Sequence, residues 1–224
     1  NKLIETKEEL KKSISKPPKF APAGQTTQMI VGATASSDAT ILNSSQSLYK
    51  KYSLKRVYYS AYSPIPNADA LLPRGDPSLI RENRLYQADW LMRFYKFDAS
   101  EPTDSSQSNL DLDIDPKTAW ALKHRSYFPV DVNTATREQL LRVPGFGVRN
   151  VEKILQMRPY RKITLMDLAK LRVTLKRARY FVTTSDHNPD VHLLDSQRLT
   201  EKLKPSAVQL SLFDVLETAK NGEL

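Results

Sequence analysis

The sequence contains no cysteine. That absence excludes disulfides, cysteine-bound zinc and cysteine-bound iron–sulfur clusters within this chain. Histidine is scarce too: His124, His187 and His192 are far apart in sequence and make no metal-ligand pattern. No apolar run approaches the roughly 20 residues of a membrane-spanning helix, so no membrane partner is expected. The N-terminus carries no signal-peptide pattern. The first residue is Asn1 and not Met, so the chain is expected to be a piece of a longer protein. What is present is positive charge. The 224 residues carry a formal net charge of +9 and a pI of about 9.6, which points to a polyanionic partner.

The charge is concentrated. Residues 126–182 hold twelve Lys and Arg against four Asp and Glu, a surplus of +8. Residues 101–115, by contrast, hold five acids and no base, among Ser, Asn and Gln. The expected organisation is therefore a charged segment at 1–19, a β-α-β-α portion at 20–100 and an acidic linker or insertion at 101–117. A basic helical domain at 118–185 and a tail at 186–224 follow.

In the first portion, Thr27-Gln28-Met29-Ile30-Val31-Gly32-Ala33 is a short β-branched run ending at glycine, a buried-strand signal. Ser36-Ser37-Asp38 supplies a helix cap, and Ile41, Leu42, Ser45, Leu48, Tyr49 and Tyr52 follow at helical spacing. Arg56–Tyr62 is a second strand, closed by Pro64 and Pro66. Asp76-Pro77 opens a second helix with Leu79, Leu85, Tyr86, Trp90, Leu91 and Phe94 as its apolar set. This is the grammar of a parallel α/β sheet. Two parallel strands need further strands that the chain does not obviously supply. The polar stripe Arg81, Arg84, Gln87 and Asp89 reads first as a solvated helix face, and second as a wall of a cavity.

Met29–Thr34, Asp38 and Tyr58-Tyr59-Ser60-Ala61-Tyr62-Ser63-Pro64-Ile65-Pro66 resemble the late strands of radical S-adenosylmethionine (radical SAM) enzymes. The run from Phe20-Ala21-Pro22-Ala23-Gly24-Gln25 through Arg84–Trp90 is similar, more narrowly, to the C-terminal part of the DNA modification/repair radical SAM protein family. The resemblance covers about residues 15–215. It implies that this α/β portion is the last β-α units of a radical-SAM-type partial barrel. It also implies a parent protein that uses S-adenosylmethionine and a 4Fe-4S cluster. Gly32 and Tyr59 would then line the cofactor cavity, since parallel sheets bind ligands at the C-terminal ends of their strands. The family's cluster-binding CxxxCxxC lies in an N-terminal half and is missing here, so this chain alone holds no cofactor and should be inactive by itself. Without the resemblance, Gly32 reads as a tight turn and Tyr59 as a core aromatic.

The strongest local pattern lies in the basic domain. Thr136 and Gln139 form the capping box of a helix that turns Leu140, Leu141 and Val143 to the core. Pro144-Gly145-Phe146-Gly147 breaks it, and a second helix buries Val148, Val151, Ile154 and Leu155. The two helices and their Gly-x-Gly turn resemble the helix-hairpin-helix DNA-binding motif. Glycines at 145 and 147 let a phosphate approach the backbone, and the second helix offers its free amides and positive dipole end to the same anion. Phe146 is expected as the apolar plug, with Arg149, Asn150 and Lys153 beside the phosphate. Nothing here reads base edges, so binding to double-stranded DNA is expected to be non-sequence-specific. The bland reading is a helical hairpin that binds protein.

A second, degenerate copy follows. Gly145 through Ile154 lies on Arg172 through Phe181, so that Leu175, Ala178 and Phe181 take the places of Val148, Val151 and Ile154. Arg172, Lys176 and Arg177 add candidate phosphate contacts. In the tail, Gln209-Leu210-Ser211-Leu212-Phe213 matches the pentapeptide by which bacterial replication and repair proteins hold the sliding clamp, with Gln209, Leu210, Leu212 and Phe213 as anchors. The same residues also have the spacing of a helix docked on its own domain. Two functions stand open. One is the C-terminal portion of a radical SAM protein acting in DNA modification or repair. The other is a non-catalytic DNA-binding or scaffold protein tethered to the clamp. Either places the protein in the cytoplasm, associated with the nucleoid.

Overall fold

The computed structural model describes residues 22–64, 79–103, 107–194 and 197–204. The first elements are β1 (Thr26–Val31), α1 (Asp38–Tyr52), β2 (Arg56–Ala61) and α2 (Leu79–Phe94). Then come α3 (Pro116–Lys123), a 3-10 turn (Arg125–Tyr127), β3 (Val130–Asp131), α4 (Arg137–Arg142) and α5 (Val148–Met157). The last are α6 (Leu165–Lys170), α7 (Leu175–Ala178), β4 (Val182–Thr183), α8 (Val191–Leu194) and α9 (Gln197–Leu203). The class is mixed helix and strand, with two small parallel sheets. The segment 1–19, the Asp76-Pro77 cap and the clamp-like residues Gln209, Leu210, Leu212 and Phe213 lie outside the described residues.

β1 runs parallel to β2, with Thr26 opposite Arg56 and Val31 opposite Ala61. Ser37 caps α1 by accepting from the Thr40 amide. α1 and α2 cover one face of the sheet, closing a core of Val31, Ile41, Leu42, Val57, Tyr59, Leu85 and Ala88. On the other face Ile30 and Tyr58 are exposed.

The two edges of this sheet differ. The outward amides of β2 are all taken by side chains. Val57 donates to the Tyr49 hydroxyl at 2.9 Å, Tyr59 to the Tyr86 hydroxyl at 3.0 Å, and Ala61 to the Glu82 carboxylate at 2.8 Å. Side chains from α1 and α2 thus close the edge that a further strand would need. On β1, the outward amides of Thr26, Gln28 and Ile30 meet no acceptor among the described residues.

The boundaries expected from composition move in two places. Residues 101–103 and 107–117 are not a loose acidic linker. Leu110 and Ile114 are buried, Asp38 accepts the Leu110 amide at 2.9 Å, and the Ala39 amide donates to the Ser108 carbonyl at 2.9 Å. The buried Asp38 carboxylate, also paired with Arg81 at 2.7 Å, organises this strap. Composition suggested a linker or insertion because polar and acidic residues outnumber the two apolar anchors that carry the packing. Nor does the tail begin at 186. Leu199 and Leu203 of α9 are buried in the helical core, and Lys204 reaches Asp113 at 3.2 Å.

The two halves share a helix. Leu85 and Ala88 of α2 face the sheet, while Leu91, followed by Tyr95 and Phe97, enters the second core with Trp120, Leu140, Phe146, Ile154 and Phe181. The two cores expected on either side of 100–118 thus both pack on α2, which ends at Phe94.

Candidate nucleic-acid interface

The helical half is built from one unit used twice. α4, a tight turn and α5 form the first. α6, a tight turn and α7 form the second. Both open with a complete capping box, Thr136 with Gln139 and Thr164 with Asp167. Both turns place one residue in the left-handed region: Gly145 at φ 84° and Arg172 at φ 59°. Phe146 and Val173, next in each turn, are buried, as are Ile154 and its counterpart Phe181. The two copies thus share the capped first helix, the left-handed turn residue and the buried positions, but the second helix runs ten residues in the first copy and only four in the second. Asn133 ties them by accepting the Ile163 amide at 2.7 Å and donating to the Ile163 carbonyl at 3.3 Å. β3 and β4 pair in parallel across the start and the end, Val130 opposite Val182.

The turns use their backbone differently. α5 starts at Gly147, an N-cap with no side chain to satisfy the helix. The amides of Gly147, Val148, Arg149 and Asn150 donate to nothing among the described residues. These are the orphan donors that a helix start leaves to an outside acceptor, at the positive end of a ten-residue dipole. Asn150 is at the third helical position, where Gln139 and Asp167 reach back in the sister helices to the cap amides of Thr136 and Thr164. Asn150 is only 8% exposed, yet its side chain has no hydrogen-bond partner among the described residues. In the second turn three of the four corresponding donors are spent: Thr174 donates to the Gly145 carbonyl at 3.3 Å, Leu175 to the Val173 carbonyl at 2.8 Å and Arg177 to the Thr174 carbonyl at 3.0 Å, while the Lys176 amide meets no acceptor among the described residues.

Gly145 has a reason to be glycine other than the one expected. A Cβ there would meet the Thr174 carbonyl oxygen at 2.7 Å. The close approach is to the second turn of the same chain, with phosphate not required to explain it. Phe146 is fully buried between the units, as the plug reading anticipated.

Beneath the first turn lies Lys117, 1% exposed. Its ammonium donates to the Phe146 carbonyl at 2.6 Å and sits 4.6 Å from the centre of the Tyr95 ring. Burial pushes its pKa down to about 7, opposed by the Asp115 charge and aided by that of Arg142. Asp115 caps α3 through the Thr118 amide at 3.1 Å and pairs with Arg177 at 2.9 Å. The start of α3 therefore holds both units, the first through Lys117 and the second through Asp115.

The twelve cations of residues 126–182 separate by what they touch. Arg137 pairs with Glu152, Arg142 with Glu101, Arg161 with Asp167 and Arg177 with Asp115. Arg158 donates to the Ala135 carbonyl, and Arg179 lies over the Tyr180 ring. Arg149, Lys153, Lys162, Lys170, Arg172 and Lys176 are exposed and have no partner among the described residues. Of the expected DNA-binding residues, Gly147 thus keeps a free donor through its amide, and Arg149, Asn150, Lys153, Arg172 and Lys176 keep theirs through their side chains, among the described residues. Arg177 is instead committed to Asp115.

In the sheet half, Tyr59 does not line an open cavity. It is 1% exposed, and its hydroxyl bonds Ser45 at 2.8 Å and Asp89 at 3.3 Å. It points inward because alternate residues of β2 face the helices, while Tyr58 faces out. Gly32 follows β1 at φ 87°, with open space in front of it apart from Tyr62 at 4.0 Å. The polar stripe of α2 is no solvated face. Asp89 is buried and accepts from Tyr49 and from Arg93 at 2.9 Å, and Arg84 reaches the Leu112 carbonyl at 2.9 Å. Burial raises the Asp89 pKa and those of Tyr49 and Tyr59.

Sequence reasoning missed Lys117 and Asp115. A lysine at the second position of a helix reads as solvated, and no local pattern distinguishes it. Among the described residues no group of His, Asp and Glu is placed to hold a metal, and no helix is long and apolar enough to cross a membrane. No family model, curated protein or solved structure matches the chain.

Proposed function

We propose that the helical half is a helix-hairpin-helix module that binds double-stranded DNA through phosphates, with little sequence preference. The observation that carries this reading is the start of α5. Four unclaimed amides and the unpartnered Asn150 side chain lie beside Arg149 and Lys153, in a module whose other arginines are mostly paired internally. Amides and cations recognise phosphate oxygens and carry no base code. The test is a titration of a 20-base-pair duplex at several salt concentrations. Four to six contacts give a logarithmic salt slope of roughly −0.9 per contact. Arg149→Ala with Lys153→Ala should weaken binding strongly, and Lys51→Ala, in α1, should not. Salt-independent binding discards the reading.

For the whole chain, the reading is the C-terminal portion of a radical SAM protein acting in DNA modification or repair, with the sheet half as the end of its partial barrel. The closed β2 edge supports a terminal strand, and the open β1 edge supports a longer sheet that continues on that side. Cofactor chemistry, S-adenosylmethionine and the 4Fe-4S cluster belong in this reading to the parent protein. The alternative, a non-catalytic DNA-binding or scaffold protein held on a sliding clamp through Gln209–Phe213, is favoured by Tyr59, whose hydroxyl is used up in the core. Binding of a 200–224 peptide to purified clamp, lost in Leu212→Ala/Phe213→Ala, tests it. Both readings keep the protein on the nucleoid.

A further inference from the structure

We propose that Lys117 is a positioning residue for the phosphate site, holding the peptide between Phe146 and Gly147 in the orientation that presents the Gly147 amide, and that its protonation sets the strength of that site. The inference rests on the nucleic-acid reading of the α5 start. The carbonyl of Phe146 and the N–H of Gly147 belong to one planar trans peptide, so the two point in opposite directions. Lys117 grips the carbonyl at 2.6 Å from inside the module. The Gly147 N–H is thereby turned away from Lys117, and it has no acceptor among the described residues. A cation on the carbonyl also polarises the peptide and makes its N–H a stronger donor. The three further free amides, and the Asn150 side chain in the place where sister helices close their own caps, complete the site.

The ammonium is well bounded. Asp115 approaches from the start of α3, Arg142 from α4 and the Tyr95 ring from the segment after α2. Asp115 is itself engaged by Arg177. No carboxylate bonds the ammonium directly, so its charge is answered by a carbonyl and a ring face. Such a lysine loses its proton more readily than an exposed one. Among the described residues the second turn has no counterpart to this contact, and three of its four corresponding amides are spent.

The experiment pairs two readouts on the full chain. The first is the Gly147 amide signal in a 15N-labelled sample between pH 6 and 9. It should shift with a single titration near neutrality, and not in Lys117→Met. The second is affinity for the 20-base-pair duplex over the same range. It should fall as pH rises in the wild type, and be about tenfold weaker and flat in the methionine variant. Methionine keeps the apolar stem and removes a buried charge, so the variant should melt no lower than wild type. A Gly147 signal indifferent to pH overturns the proposal, as does a methionine variant with wild-type affinity and pH profile. If Gly147 titrates but wild type binds no duplex at any pH, the positioning role stands and the nucleic-acid reading falls. Should the variant fail to fold, the wild-type Gly147 titration decides alone.

Discussion

The two hairpins share a capped first helix and a left-handed turn residue, and differ in the length of the second helix and in what they leave unsatisfied. The first turn has glycine in its left-handed position, a glycine cap and four amides without acceptors. The second has Arg172 and Thr174 at those places and returns three of its four amides to the chain, one of them to the Gly145 carbonyl. One unit is a donor surface, and the other is the wall it leans on. A repeat can therefore conserve packing while separating roles. The buried positions must match in both copies, whereas the amides at a turn are free to be spent inside or kept for a ligand.

Gly145→Val should separate the hairpins most sharply. It forces a β-branched residue to φ 84° and drives a Cβ towards the Thr174 carbonyl oxygen, 2.7 Å away. The expected loss is about 3 kcal/mol, read by denaturant unfolding. Arg172→Gly, the mirror change in the second turn, relieves φ 59° and should raise stability by about 1 kcal/mol. Equal effects of the two would erase the distinction.

pH probes Lys117, a buried lysine that lies under the first hairpin. Folded Lys117 titrates near 7, against 10.5 for a free lysine. Between those values the unfolded chain binds more protons, so unfolding free energy should rise with pH, by up to about 1.4 kcal/mol per unit. Lys117→Met should remove that slope in a series of melts at pH 7 to 9.5. At the acid end the second hairpin responds. Arg161 and the Thr164 cap hold Asp167 at about 2, so its contribution, present above the normal carboxylate value, is lost as pH falls towards 2.

Arg149→Ala with Lys153→Ala should flatten the salt slope of duplex binding by about 1.8 and leave the melting temperature unchanged. The smallest contrast lies within the second hairpin. Arg177→Ala breaks the pair with Asp115 and should cost about 1 kcal/mol of stability. Lys176→Ala, one residue earlier, should cost none and reduce the salt slope by about 0.9.

Much of this was legible in the residues. The caps at Ser37 and Thr136, the strands at 26–31 and 56–61, and the buried positions of the repeat all appear where spacing and side-chain chemistry place them. These are local rules, settled within one turn or one pleat. Leu79 and Phe94, by contrast, have helical spacing and are nonetheless exposed, because α2 serves two cores and its apolar stripe drifts from one to the other.

The sequence by itself determined the elements, the concentration of charge, the doubled hairpin and the absence of any cysteine chemistry. Each follows from composition or from contacts within a few residues. Only the tertiary structure decided which charges are free. Arg149 and Arg177 look alike along the chain, but one meets nothing and the other meets Asp115, 62 residues away. It alone revealed that Gly145 is glycine for its neighbour's sake and that a lysine is buried beneath the turn. Long-range partners select among chemically equivalent side chains, and no local pattern records which partner will arrive.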